Sequence, residues 1–124
     1  MKTLLLLTLL AGCDGGPCEY NSIPGSCQIT EITAADPTKM CGPDPMEVTF
    51  QFTPTDPNVT LRFSNTPQSL RVNLSGDDPS SGCLAAKGVT VGATFACHRR
   101  EETKGTCTPV SHSFDSLDLS SCCP

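Results

Sequence analysis

The 124-residue chain contains no tryptophan, one tyrosine and five phenylalanines. A core this short of large side chains buries modest apolar area, so part of the stability must come from another source. Basic residues are scarce too: eight Lys and Arg stand against thirteen Asp and Glu. That balance argues against nucleic acid as a partner, where a concentrated basic surface is expected. No Cys-x-x-Cys pair occurs, which leaves a zinc ribbon and a thioredoxin-type redox motif without support. No Gly-x-Ser-x-Gly elbow exposes a serine. Heptads and internal repeats of fixed period are also missing. The one apolar run at the start falls well short of the about 20 residues of a permanent membrane-spanning helix.

What the chain has in quantity is cysteine, nine of them, and an opening segment that explains the odd one. Met1-Lys2-Thr3 supplies a positive charge, Leu4 to Leu10 an apolar run broken only by Thr8, and Ala11-Gly12 two small residues. This is the layout of an export signal. Leu10-Ala11-Gly12-Cys13 resembles the lipobox of bacterial lipoproteins. The resemblance implies that the Cys13 thiol is diacylated and that the signal is cut just before it. It covers only these opening residues. The rest is similar in general style to short, cysteine-rich predicted lipoproteins, a likeness that brings no activity with it. The other interpretation of the segment is an ordinary secretory signal cut nearby. The expected layout is a signal peptide over 1–12, a tether over 13–17 and one disulfide-rich domain over 18–124. Asp14 follows the cysteine, as in an inner-membrane retention signal of enteric bacteria, a rule that varies among bacteria; leaflet and membrane stay open.

With Cys13 acylated, eight cysteines are left: Cys18, Cys27, Cys41, Cys83, Cys97, Cys107, Cys122 and Cys123. An even set in an oxidising compartment reads as a disulfide framework rather than a metal site. Each bond could contribute roughly 2–4 kcal/mol. Asp14-Gly15-Gly16-Pro17, fully extended, spans only about 13 Å, so the domain is expected to sit close against its membrane.

Along the mature chain, Ile23-Pro24-Gly25-Ser26 reads as a turn and Cys27 to Thr33 as a strand. Ala34 to Pro45 reads as a loop holding Cys41. Met46, Val48, Phe50 and Phe52 alternate with Glu47, Thr49, Gln51 and Thr53, the period of a half-buried antiparallel strand. Val59, Leu61 and Phe63 repeat the alternation, as do Leu70, Val72 and Leu74. Ser80 to Lys87 is the one stretch expected to make a helical turn. Val89 to Cys97, with Gly92 a possible bulge, and Thr106 to Phe114 read as a hairpin whose charged tip is Arg99 to Gly105. That hairpin predicts a Cys97–Cys107 bond. The adjacent Cys122 and Cys123 are expected to tie the tail, from Ser116 onward, to two different segments, including Cys83 and one of the N-terminal cysteines. The fold class that follows is all-β: a small antiparallel β-sandwich or barrel-like domain stapled by up to four disulfides. A looser disulfide scaffold with a single sheet is the runner-up.

Candidate chemistry is thin. Ser111, His112, Ser113 and Asp115 hold the residue types of a hydrolase triad, but neighbours in one strand point to opposite faces, and no catalytic residue is assigned. His98 beside Cys97 has no thiolate to share a metal with once the cysteines are oxidised, so no metal and no cofactor is expected. Asn58-Val59-Thr60 and Asn73-Leu74-Ser75 match glycosylation sequons and, in a bacterial protein, are ordinary strand and turn residues. Arg99, Arg100, Glu101 and Glu102 form the densest charge cluster and a possible interaction loop. Two functions stand. The first is a lipid-anchored, non-catalytic cell-envelope domain with a structural or binding role and a protein or glycan partner. The second is a protease-inhibitor-like or toxin-like secreted module acting through the Arg99-Arg100 loop.

Overall fold

The computed structural model describes residues 17–35, 40–41, 44–70 and 78–122, with 40 and 41 described by their backbone alone. In chain order the elements are β1 (Glu19–Ala34), β2 (Met40–Cys41), β3 (Met46–Pro54), β4 (Gln68–Leu70), β5 (Asp78–Pro79), α1 (Ser81–Ala86), β6 (Thr94–Lys104) and β7 (Val110–Phe114). A 3₁₀ turn over Ser120–Cys122 follows. Five strands form one antiparallel sheet in the order β4-β3-β1-β6-β7. The sheet curls into a half-barrel. The curl is visible in side-chain contacts: Phe50 on β3 meets His112 and Phe114 on β7 at ring-centroid distances of 5.2 and 5.1 Å, although β1 and β6 lie between those strands. The all-β expectation holds, in its barrel-like form.

The alternation in β3 does what the sequence predicts. Val48, Phe50 and Phe52 are buried, and Met46 packs against them. β1 supplies the facing residues Ile23, Cys27 and Ile29. Thr30 is an extra residue between the Ile29–Phe50 and Glu31–Thr49 pairs. This bulge keeps Ile32, opposite Val48, on the inner face, where strict alternation would have sent it out.

Ile23-Pro24-Gly25-Ser26 is not a turn; it lies within β1. Pro24 is tolerated because its carbonyl accepts from Thr55 N–H at 3.0 Å. In a strand the N–H of a residue points to the same side as its C=O, here the side where β3 ends at Pro54, so no ladder bond is lost. Gly25 sits where a Cβ would lie 2.6 Å from the Phe52 ring and 2.3 Å from Thr53 O. Only glycine leaves that space.

Among the described residues, three disulfides close the domain. Cys18 is bonded to Cys107, Cys27 to Cys97 and Cys83 to Cys122. Cys97 and Cys107 are therefore not partners, which corrects the hairpin inference. β6 runs straight on to Lys104 and the turn falls at 105–109 rather than at 99–105. Cys97 consequently lies well inside the strand, diagonal to Cys27 on β1. The Cys83–Cys122 bond ties the tail to α1, as expected. Cys13 and Cys123 lie outside the described residues, and so does the Cys41 side chain. Six of the nine cysteines are thus paired; with Cys13 acylated, as the lipobox resemblance implies, the two left are Cys41 and Cys123, which should then be found bonded to each other. Non-reducing peptide mapping checks this; an alkylatable Cys41 thiol in the mature protein would contradict it.

The helical turn forms where expected. Ser80 Oγ accepts from Cys83 N–H at 3.3 Å, and Gly88, at φ +73°, ends the helix. Val89 N–H reaches back to Leu84 O and Gly88 N–H to Ala85 O, which joins two buried residues, Leu84 and Val89, across the cap. Two expected strand segments differ. Val89–Ala93 is a cap and turn, with Gly92 N–H donating to Ile29 O at 2.8 Å. Val59 to Phe63 is a loop. Of the Leu70–Leu74 stretch, Leu70 closes β4 and the rest, with Asn73, lies outside the described residues.

Candidate functional site

Inward positions on β6 read Phe95, Cys97, Arg99, Glu101. The last two are charges, yet Arg99 is 0% and Glu101 2% exposed. Arg99 Nε donates to Glu101 Oε2 at 2.9 Å. Its Nη2 donates to Phe63 O at 2.8 Å and Ser64 O at 3.1 Å. Glu101 in turn accepts from the N–H groups of Arg62 and Phe63. Asn65 completes the set, donating to Phe52 O at 2.8 Å. This explains why Val59 to Phe63 is no strand: a buried ion pair, not a neighbouring strand, satisfies the backbone of its last residues and of those that follow. Burial alone would raise the Glu101 pKa. The Arg62 N–H, the Arg99 guanidinium and the Phe63 N–H outweigh it and hold the carboxyl below its ordinary value.

The expected interaction loop is therefore corrected. Arg99, Arg100, Glu101 and Glu102 belong to β6. Arg99, Glu101 and Glu102 are buried, and Arg100 lies on the outer face with its guanidinium 4.6 Å from the Tyr20 ring centroid. A legible signal existed: charges at the period-two positions that continue Phe95 and Cys97.

The second feature is the seam where the half-barrel stays open. A cleft of about 280 Å³ runs between β4 and β7, lined by Phe50, Gln68, Leu70, His112 and Phe114 among others. A further hollow continues past Leu70, His112 and Phe114 to Leu117–Ser120. On β7, Pro109 O and Asp115 N–H bond to β6, so by alternation the backbone groups of Val110, His112 and Phe114 face the seam. His112 sits at its floor between the Phe50 and Phe52 rings. Its Nε2 is buried, and no donor or acceptor among the described residues reaches it. Burial, helped by the nearby Arg99 cation and opposed by Glu101, pushes the imidazole down to about 4 from its ordinary 6.5. The ring is neutral at pH 7.

A pH dependence follows with a definite sign. Between pH 6.5 and about 4 the unfolded chain binds the His112 proton and the folded one does not. Its stabilisation is whole above 6.5 and is lost as pH falls toward 4. The loss should be about 2 kcal/mol, below the full value of the shift because part of the ring meets solvent. Thermal melts across that range should show the loss in the native chain and much less of it in His112→Phe. Identical acid sensitivity in both would refute the assignment.

The triad residue types are distributed differently from a triad. His112 faces inward. Ser113 stands opposite His98 across the β6–β7 pair, and His98 Nδ1 meets Asp115 Oδ1 at 2.7 Å on the outer face, with side chains 38% and 41% exposed. No hydrogen bond joins Ser113 to His98. No group of three His, Cys, Asp or Glu among the described residues is arranged to hold a metal. No family model, curated protein or solved structure matches this chain.

Proposed function

We propose that this chain is a lipid-anchored, non-catalytic binding domain of a bacterial cell envelope, and that the β4–β7 seam is its receptor surface. The observation that carries the binding role is the seam itself: an aromatic-floored cleft walled by a strand edge whose backbone groups are not used by the sheet. Its chemistry suits an extended protein segment, which pairs with the edge through its main chain and places alternate side chains on Phe50, His112 and Phe114. The disulfides support such a role, because a stapled scaffold loses little entropy when it binds. The anchor is supported by the lipobox and by the odd number of cysteines, nine, which leaves one outside any disulfide framework; Cys18, the next cysteine after Cys13, is taken by Cys107.

Two measurements test this. Mass spectrometry of the mature N-terminus should find an acylated Cys13; a soluble product starting beyond residue 13 would reject the anchor. For the seam, a photo-crosslinking residue at Ser69 should trap a discrete envelope protein, and one at Ser22 on the outer face should not. Val110→Pro removes an N–H that faces the seam and spares the β6 ladder, so the adduct should vanish in that background. Adducts of equal yield at both positions, or indifference to Val110→Pro, would remove the seam from consideration.

A further inference from the structure

We infer that the β6–β7 end of the half-barrel rests on anionic phospholipid headgroups, with Arg62 and Lys104 facing them, while α1 and the Cys83–Cys122 end project away from the membrane. The inference rests on the anchor proposed above and adds an orientation and a contact surface to it.

The first support is covalent. Cys18 is joined to Cys107 with their Cα atoms 6.2 Å apart, and Glu19, the first residue of β1, pairs with Lys104 at the end of β6. The point where the tether meets the fold is thus fixed at the 105–109 turn. The four residues between Cys13 and Cys18 reach only about 13 Å. β1, with 16 residues, is about 50 Å long if fully extended. A tether a quarter of that length cannot bring the far end of the sheet to the membrane unless the whole domain lies flat.

The second support is charge. Near the turn, Arg62, Arg99, Arg100 and Lys104 are matched by Glu19, Asp56, Glu101 and Glu102, and Arg99 and Glu101 are spent on each other inside the barrel. At the other end Glu31, Asp44, Glu47 and Asp118, all exposed, gather with Lys87 as their one described cation. An anionic surface repels that acidic end and tolerates the balanced one, which opposes a flat arrangement.

The third support is the groove itself. An open hollow of about 420 Å³ at the turn is lined by Arg62, Phe63, Thr103, Lys104, Thr106 and neighbouring residues. Two cations and two hydroxyls are the donors a phosphodiester headgroup needs. The groove has its own carboxylate, Glu102, which is 8% exposed and so offers little of its charge to the surface. Lys104 meets Glu19 at 3.6 Å with both side chains mostly exposed, a pairing weak enough to yield to a phosphate. Each such cation near an anionic membrane is worth about fivefold in surface affinity.

The absence of tryptophan makes the orientation readable. The mature lipidated chain carrying Thr108→Trp, or Gly82→Trp, is placed in vesicles containing headgroup spin-labelled lipid, either neutral or with added phosphatidylglycerol. Both sites are exposed, Thr108 lies in the 105–109 turn outside the groove lining, and a Cβ at Gly82 meets no atom within 4 Å. Thr108→Trp should lose most of its emission and Gly82→Trp should keep it. Arg62→Glu with Lys104→Glu should bring Thr108→Trp quenching in anionic vesicles down to the neutral-vesicle level. Equal quenching at the two sites, on a chain whose Cys13 is acylated by mass, overturns the orientation alone. Unchanged quenching after the charge reversal overturns the headgroup contact. A Cys13 found without an acyl chain removes the anchor, and the orientation with it.

Discussion

Replacing Arg99 with alanine should cost about 3–5 kcal/mol, because it leaves the Glu101 carboxylate buried without its cation. The loss goes beyond the ion pair. Phe63 O and Ser64 O lose their donor, and the loop that carries Arg62 loses its attachment to the barrel. Limited trypsin digestion should therefore cut after Arg62 faster in Arg99→Ala than in the native chain, at temperatures where both are folded. Arg99→Lys keeps the charge and loses the planar fork, so it should fall between the two. Chemical denaturation of the three proteins decides the point. An Arg99→Ala protein within about 0.5 kcal/mol of the native chain, the range of an ordinary surface substitution, would show that the pair does not organise this loop. The same bonds bear on the inhibitor-like alternative: to enter a partner's specificity pocket, Arg99 would first have to abandon all of them.

Phe50→Ala should be comparably severe, also about 3–5 kcal/mol. Phe50 is 2% exposed and, with Phe52, joins the two sides of the curled sheet, meeting both His112 and Phe114 edge to face. Truncating it removes apolar burial and opens a void continuous with the seam cleft. It also opens the surroundings of His112, so the imidazole pKa should rise toward 6.5 as water reaches the ring. Phe50→Leu should retain much of the burial and lose the ring contacts, at a smaller cost. Calorimetry for stability and the His112 proton titration by NMR make two independent checks. An unchanged thermal midpoint in Phe50→Ala would mean that β3 does not face the interior.

What was legible in advance was local. The alternation of Met46 to Thr53 specifies a strand and its buried face without reference to any other segment. The cap residues Ser80 and Gly88 bound a short helix by the same kind of local hydrogen bonding. Divergence of adjacent side chains sends Cys122 and Cys123 to different segments, and Cys83 is an expected target of the pair, without deciding which of the two it takes. Errors arose where a residue's meaning depends on a partner distant in sequence. Pro24-Gly25 carries turn chemistry, but β1 needs no N–H at Pro24 and has no room for a Cβ at Gly25, and both facts belong to β3. Charged residues from Arg99 to Glu102 suggest a solvated tip, because a charge ordinarily stays in water. Here two of them neutralise each other and bond the backbone of a loop more than thirty residues away.

By itself, then, the amino-acid sequence determines the reliance of a ring-poor core on disulfides and the half-buried β pattern, since each rests on neighbouring residues or on composition. Tertiary structure alone decides which cysteines pair, that the sheet curls until β3 and β7 touch, and that the seam between β4 and β7 is left with a neutral histidine at its floor. Those outcomes depend on strand register. A one-residue shift would turn every inward side chain outward, and register is set jointly by the Thr30 bulge, the space at Gly25 and the bonds made by Arg99, none of which has meaning until the strands are side by side.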